Sequence, residues 1–165
     1  MENNLLEELY RQYHKEIYLY LYSMCRQYET AEDLCQDTFV KALLSLSMEH
    51  GNMRAWLYMV ARNLYLNWAK RNSRETDMED MPELAAEDDM LDNFIEGEKH
   101  KLLYIAMQKM SPQKREVLTL QYWGGLSQRE IAAVMNITTE NVRVLGYRGK
   151  KDLKKILEEN HYEIF

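Results

Sequence analysis

The chain is short of the residues that interrupt helices: six glycines and two prolines in 165 residues, with long stretches that hold neither. With Leu, Met, Tyr, Glu and Lys plentiful, that shortage predicts an all-α protein. No run of about 18 apolar residues occurs, so no membrane insertion is expected. The opening Met1-Glu2-Asn3-Asn4 lacks the basic and apolar stretches of a signal peptide, and the expected location is cytoplasmic. Only two cysteines are present, Cys25 and Cys35. Their spacing fits neither a zinc site nor a CxxC motif, and they are expected to be reduced thiols on helices. An apolar content of 46% is too high for a disordered chain and sufficient for packed cores. The length suits one domain or two small ones.

A net charge of −6 argues at first sight against a nucleic-acid partner. Its distribution argues the other way. Residues 72–97 hold ten acids and one base, so the rest of the chain carries a net charge of +3. Two stretches are sharply basic. Residues 54–71 carry Arg54, Arg62, Lys70 and Arg71 with no acid. Residues 141–155 carry Arg143, Arg148, Lys150, Lys151, Lys154 and Lys155 against Asp152 alone. Both are candidates for phosphate binding.

Apolar residues recurring at three and four predict a first helix over 5–28. Thr30, with Asp33 three residues on, predicts the cap of a second helix running to about Leu46. A loop, Ser47 to Asn52, contains Gly51 and leads to a third helix from Met53 to about Lys70. The acidic stretch 72–97 reads as a flexible linker, with a helix from near Leu91 to Met110. Ser111-Pro112 predicts a helix start, and Gly124-Gly125 its end. Two small helical domains are thus expected, over 1–71 and 98–165, joined by the linker.

The clearest motif follows. Ser127-Gln128-Arg129-Glu130 has the form of a capping box, Asn136 suits a left-handed helix end, and Thr138 can cap a last helix to about Glu159. A short helix, a tight turn and a longer basic helix make a helix-turn-helix, whose second helix enters the major groove. Ala132 is small where the helices must approach, while Ile137 and Val142 supply apolar contacts across the turn. The second helix should present Thr139, Glu140, Arg143, Tyr147 and Arg148 to DNA, with Lys150, Lys151 and Lys154 suited to phosphates. Alone, this motif specifies DNA binding and no more.

Two further faces stand out. Asp33, Gln36, Asp37 and Val40 share one side of the second helix at three- and four-residue spacing, and Leu34, Phe39 and Leu43 share the other. A polar, acidic face suits a basic partner surface. On the third helix Asn63, Asn67 and Arg71 form a stripe. An amide both donates and accepts, so it can read a base edge, and Arg62, Lys70 and Arg71 can hold a strand's phosphates. Trp56 is expected to pack in the core.

These stretches resemble one family. Ala31-Glu32-Asp33-Leu34-Cys35-Gln36-Asp37-Thr38-Phe39-Val40-Lys41-Ala42 resembles the region 2.1–2.2 signature of extracytoplasmic-function sigma factors of the sigma-70 family. Ala55-Trp56-Leu57-Tyr58-Met59-Val60-Ala61-Arg62-Asn63 is similar to their region 2.3–2.4 helix. Ser111-Pro112-Gln113-Lys114-Arg115-Glu116-Val117-Leu118 and Gly125-Leu126-Ser127-Gln128-Arg129-Glu130-Ile131-Ala132 are similar to region 4. The resemblance covers about 5–71 and 98–157. It implies a sigma factor that directs RNA polymerase core to promoters and assists −10 melting, with no enzymatic activity, cofactor or metal. It implies that Asp33, Gln36, Asp37 and Val40 face the clamp helices of the polymerase β′ subunit. It places −10 reading on Asn63 and Asn67, with Arg62, Lys70 and Arg71, and on the preceding loop with His50 and Asn52, which would line a pocket for one extruded base. The −35 duplex falls to Thr139, Glu140, Arg143, Tyr147, Arg148, Lys150 and Lys151. The β flap of the polymerase and an anti-sigma protein are further implied partners.

The chain departs from the family pattern at four places. Asn67 stands where Asp is usual, and Val144-Leu145 where a Ser-Arg pair is. Gly146 replaces Leu, and Gly149 stands where Ala is common. A glycine costs about 1 kcal/mol in an exposed helix, which predicts a looser last helix until it is bound. Three other readings stay open: a helix-turn-helix regulator with a sensing N-terminal half, a sigma-like adaptor without autonomous promoter recognition, and a metal enzyme built on Glu87, Asp88, Asp89 and Asp92. The regulator does not account for residues 31–63, and the acidic run has the character of a solvated linker.

Overall fold

The computed structural model describes residues 2–44, 52–73 and 89–160. Among these every regular element is a helix. The chain divides into two compact units, one built on the first three helices and the other on the later ones.

In the first unit, α1 (Glu2–Cys25), α2 (Tyr28–Leu44) and α3 (Met53–Asn72) pack pairwise against one another. Ile17, Tyr20, Leu21 and Cys25 of α1 meet the demand for burial, with Ala31, Phe39 and Ala42 of α2 and Leu57, Tyr58 and Ala61 of α3. Tyr20 and Tyr58 pack edge to face, ring centres 5.1 Å apart. Small Ala31, Ala42 and Ala61, all fully buried, are consistent with close helix approach. Thr38 is buried too, and its hydroxyl is paired, donating to the Leu34 carbonyl at 2.7 Å. Both cysteines are free and buried. Burial pushes the Cys25 thiol up to about 11 and the Cys35 thiol up to about 12, which makes both poor nucleophiles.

The break between α1 and α2 differs from the expected one. Arg26 adopts a left-handed backbone with φ 57°, and α2 starts two residues later, at Tyr28. Thr30 is therefore inside the first turn rather than ahead of it, and its hydroxyl donates to Gln27 Oε1 at 2.8 Å. Because α2 already begins at Tyr28, Thr30 and Asp33 lie within the helix and do not form its cap.

After the first three helices come α4 (Asp89–Asp92), α5 (Glu98–Met107), α6 (Pro112–Tyr122), α7 (Gln128–Met135) and α8 (Thr139–Glu159), the second unit taking α7 only as far as Ala132. The single helix expected from 91 to 110 is split. Gly97 has φ 89°, a conformation that a helix cannot continue through and that glycine adopts without steric cost. Within the acidic stretch Leu91 and Ile95 are buried, and Asp92 pairs with the nearly buried Lys101 at 2.7 Å. Helix α8 packs on α5 and α6. Ala106, Met107, Met110, Leu118, Leu153 and Leu157 form the core there, flanked by Trp123. The buried Arg115 donates to the Gln108 and Met110 carbonyls at 3.3 and 3.5 Å, which ties α6 to the turn after α5.

Candidate nucleic-acid interface

Local chemistry fixes the helix-turn-helix residue by residue. The backbone N–H of Ser127 donates to Glu130 Oε1 at 2.8 Å, and the Glu130 N–H donates to Ser127 Oγ at 3.2 Å. That reciprocal pair is a complete capping box. Helix α7 ends at Met135, Asn136 is left-handed with φ 56°, and the Ile137 N–H donates back to the Ala132 carbonyl at 3.1 Å. This is a Schellman ending with Asn in glycine's place. Thr138 Oγ1 then accepts from the Asn141 N–H at 3.1 Å and starts α8.

The two faces of α8 separate cleanly. Val142, Leu145, Gly146, Gly149, Leu153 and Leu157 are buried. Thr139, Glu140, Arg143, Tyr147, Arg148, Lys150 and Lys151 are all exposed. Arg143 stands 3.9 Å from Glu140 in an open ion pair, too weak to hold it from another partner. Lys151 Nζ lies over the Tyr147 ring at 4.6 Å.

The expectation of a loose, glycine-weakened α8 is corrected by this packing. Both glycines face inward rather than to solvent. A Cβ on Gly149 would stand 3.3 Å from Leu118 Cδ1 and from Met110 Cε, so the absent side chain is what lets α8 lie close on α6. Leu145 is likewise in the core and is not available to a base.

In the first unit Asp33, Gln36, Asp37 and Val40 all lie exposed on one face of α2. Leu44, 82% exposed, extends that face and was not anticipated. Beside it runs an apolar groove between α1 and α2, lined by Leu6, Tyr10, His14, Gln36, Phe39 and Val40. Tyr10 and His14 stack at 4.5 Å. Their spacing of four on α1 is the only sequence signal for them.

On α3, Asn63, Asn67, Lys70 and Arg71 are exposed, whereas Arg62 is half-buried. Trp56 and Trp68 are both half-buried, Trp68 beside Tyr65 with ring centres 6.0 Å apart. Trp56 is thus not the full core residue expected. Asn52 caps α3, its Oδ1 accepting from the Ala55 N–H at 3.1 Å, so its amide has a structural task as well. His50 lies outside the described residues. No group of three or more His, Cys, Asp or Glu among the described residues could hold a metal ion, and no described helix is long and apolar enough to cross a membrane.

Fold and surface together define a helical protein of two units that presents a capped helix-turn-helix whose second helix has an exposed basic face. Comparison with known proteins specifies the class further. The Sigma-70 region 2 family model matches residues 9–75, and the Sigma-70, region 4 model matches residues 100–153. The chain is 32% identical to the RNA polymerase sigma factor YlaC of Bacillus subtilis, covering 96% of this chain and 95% of YlaC. It is 29% identical to the ECF RNA polymerase sigma factor SigM of the same organism, covering 92% of this chain and 94% of SigM. Among solved structures its fold is similar to the sigma factor RpoE of Bartonella quintana, crystallised with the anti-sigma factor NepR. The TM-score there is 0.70 at 21% identity, over 92% of this chain and 96% of that one. The chain belongs to the extracytoplasmic-function group of sigma-70 family RNA polymerase sigma factors. Such proteins act in transcription initiation and are not in general enzymes.

Proposed function

We propose that this chain is a cytoplasmic promoter-specificity subunit that works by binding alone, with residues 1–71 and 98–165 as its two working domains and 72–97 as the link between them. The α2 face of Asp33, Gln36, Asp37 and Val40 takes the polymerase clamp helices, and the second domain takes the β flap. Asn63 and Asn67 receive a base of the opened −10 strand, with Arg62, Lys70 and Arg71 on its phosphates and His50 and Asn52 at the entrance to α3. On α8, Arg143 and Arg148 read the −35 duplex beside Thr139, Glu140 and Tyr147, while Lys150 and Lys151 hold phosphates.

The observation that carries this reading is the clean division of α8 into a packed face and an exposed face that holds every one of those −35 residues. A regulator would need the same helix, but it leaves the exposed acidic face of α2 and the amide stripe of α3 without a task. An anti-sigma partner is supported by the fold shared with RpoE, which was crystallised with its own. Run-off transcription tests the whole assignment. Core polymerase with this chain should give a promoter-directed transcript that core alone does not. Tight duplex binding by the chain alone, with no such transcript, would instead favour a regulator.

A further inference from the structure

Helix α3 is held to α1 by two polar contacts set well apart along both helices. At the first, the Tyr58 hydroxyl donates to Glu16 Oε1 at 3.2 Å, and Arg54 Nε lies 3.0 Å from the same oxygen. The Arg54 guanidinium also sits over the Tyr13 ring at 5.3 Å. At the second, the Tyr65 hydroxyl donates to the Met24 carbonyl at 3.4 Å. Glu16 and Met24 are eight residues apart on α1, and Tyr58 and Tyr65 are seven apart on α3. At about 1.5 Å per residue the two spacings agree to roughly one residue's rise. The contacts also run in the same chain direction, so α3 lies parallel to α1 like a rod pinned at two points.

Apolar packing between these helices is non-directional. It sets the distance between them and, through interdigitated contacts such as Tyr20 against Tyr58, part of their register. The two hydroxyls add directional restraints on sliding and rolling. Rolling matters here because each residue turns about 100° on a helix, and Asn63 is two residues from Tyr65. The direction in which Asn63, Asn67 and Arg71 point is therefore tied to where Tyr58 and Tyr65 are anchored.

We infer that Tyr58 and Tyr65, through Glu16 and the Met24 carbonyl, are positioning residues that set the roll of α3 and so aim the Asn63–Asn67 stripe at the −10 strand. This deepens the proposed −10 reading and rests on it. The hydroxyls touch no DNA. Their effect is on the precision with which the amides meet a base, and a displacement of about 1 Å suffices to cost a large factor at a site that needs exact placement.

The test is a comparison of Tyr58→Phe, Tyr65→Phe and the double variant, each assembled with core polymerase, on promoters varied one base at a time across the −10 element. Phe keeps the ring and its packing and removes only the anchor. The double variant should bind core polymerase and −35 duplex as the wild type does, while its discrimination at one −10 position falls about three- to tenfold. Asn67→Ala, run beside it, should lose discrimination at that same position. Unchanged discrimination in the double variant, with Asn67→Ala still impaired, would overturn the inference and leave the −10 reading in place. A flat response from Asn67→Ala would sink the −10 reading itself. If Tyr58→Phe folds poorly, Tyr65→Phe alone decides, since Tyr65 is half-buried whereas Tyr58 is fully buried. Equal losses in core affinity and in −10 discrimination would mark a merely structural role and also overturn it.

Discussion

Gly149 of α8 and Leu118 of α6 are packed so closely that a Cβ on the glycine would lie 3.3 Å from Leu118 Cδ1. Three residues earlier, Gly146 is looser: its Cβ would meet Val117 Cγ1 at 3.7 Å and Gln121 Oε1 at 4.0 Å, ordinary contacts. The two glycines should therefore respond to alanine with opposite signs. Gly146→Ala gains helix propensity without a clash and should stabilise the second unit by about 0.5–1 kcal/mol. At Gly149 the neighbours Leu118 and Met110 are themselves buried in the core and have little room to give. Overpacking of this kind costs about 1–3 kcal/mol, which outweighs the propensity gain. Thermal unfolding of the two variants separates them, and a stabilised Gly149→Ala would show that α8 is not held as tightly as its packing indicates.

The second expectation concerns assembly. Asp37 is exposed on the α2 face, so reversing its charge should leave folding nearly untouched, within about 0.5 kcal/mol. Asp37→Lys should nevertheless weaken binding to core polymerase, because a basic partner surface would then meet a like charge. Titration of labelled core against wild type and variant checks this. Equal affinities would remove α2 from the polymerase contact.

How much of this was legible in the sequence depended on the range of the interaction. Ser127–Glu130, Asn136 and Thr138 were read correctly because each cap is settled within four residues by atoms of the same turn. Arg26 gave no warning, since arginine has no preference for the left-handed backbone it adopts. Periodicity alone would have carried one helix from Leu91 to Met110, but α4 stops at Asp92 and Gly97, with φ 89°, stands ahead of a new start at Glu98. The inward orientation of Gly146 and Gly149 could not be read either, because it is decided by Leu118 and Val117 some thirty residues away. The Glu16–Tyr58 contact spans 42 residues and joins two positions that look unremarkable within their own helices. The exposure of Asn63, Asn67 and Arg71 on α3, and of the polar positions of α8, was legible because each set shares one helix face, so the periodicity that buries their neighbours exposes them; Arg62, half-buried, departs from it.

On α8, base reading and phosphate holding should separate by salt. Arg143→Ala should change the preferred −35 sequence, costing about 1–3 kcal/mol at one base pair and little on other sites. Lys151 sits exposed over the Tyr147 ring, and the proposed reading gives it a phosphate. Lys151→Ala should weaken binding evenly across sequences and lower the slope of log K against log salt by roughly 0.9. Holoenzyme binding to matched and scrambled −35 duplexes over a salt series reads both. Identical behaviour of the two variants would refute the division of labour.

The last expectation is a pH dependence at Glu16. Burial pushes its carboxyl above the usual glutamate value, and the Arg54 charge and the hydrogen bonds from Tyr58 and Arg54 pull it only part of the way back. The folded protein thus holds a proton on Glu16 more tightly than the unfolded chain does. Stability from the protonated form is fully present below the ordinary glutamate value and is lost as pH rises through the higher folded one. Glu16→Gln keeps an acceptor for the Tyr58 hydroxyl but has no charge to desolvate. Relative to wild type, the variant should therefore gain stability as pH is raised through the carboxylate range, and the difference should level off above it. Arg54, with 40% of its side chain exposed, can turn to water when its partner is neutral. Thermal melts of both proteins from acidic to neutral pH give the difference directly. A variant that falls further behind the wild type as pH rises would mean that the Arg54 ion pair, rather than burial, dominates at Glu16.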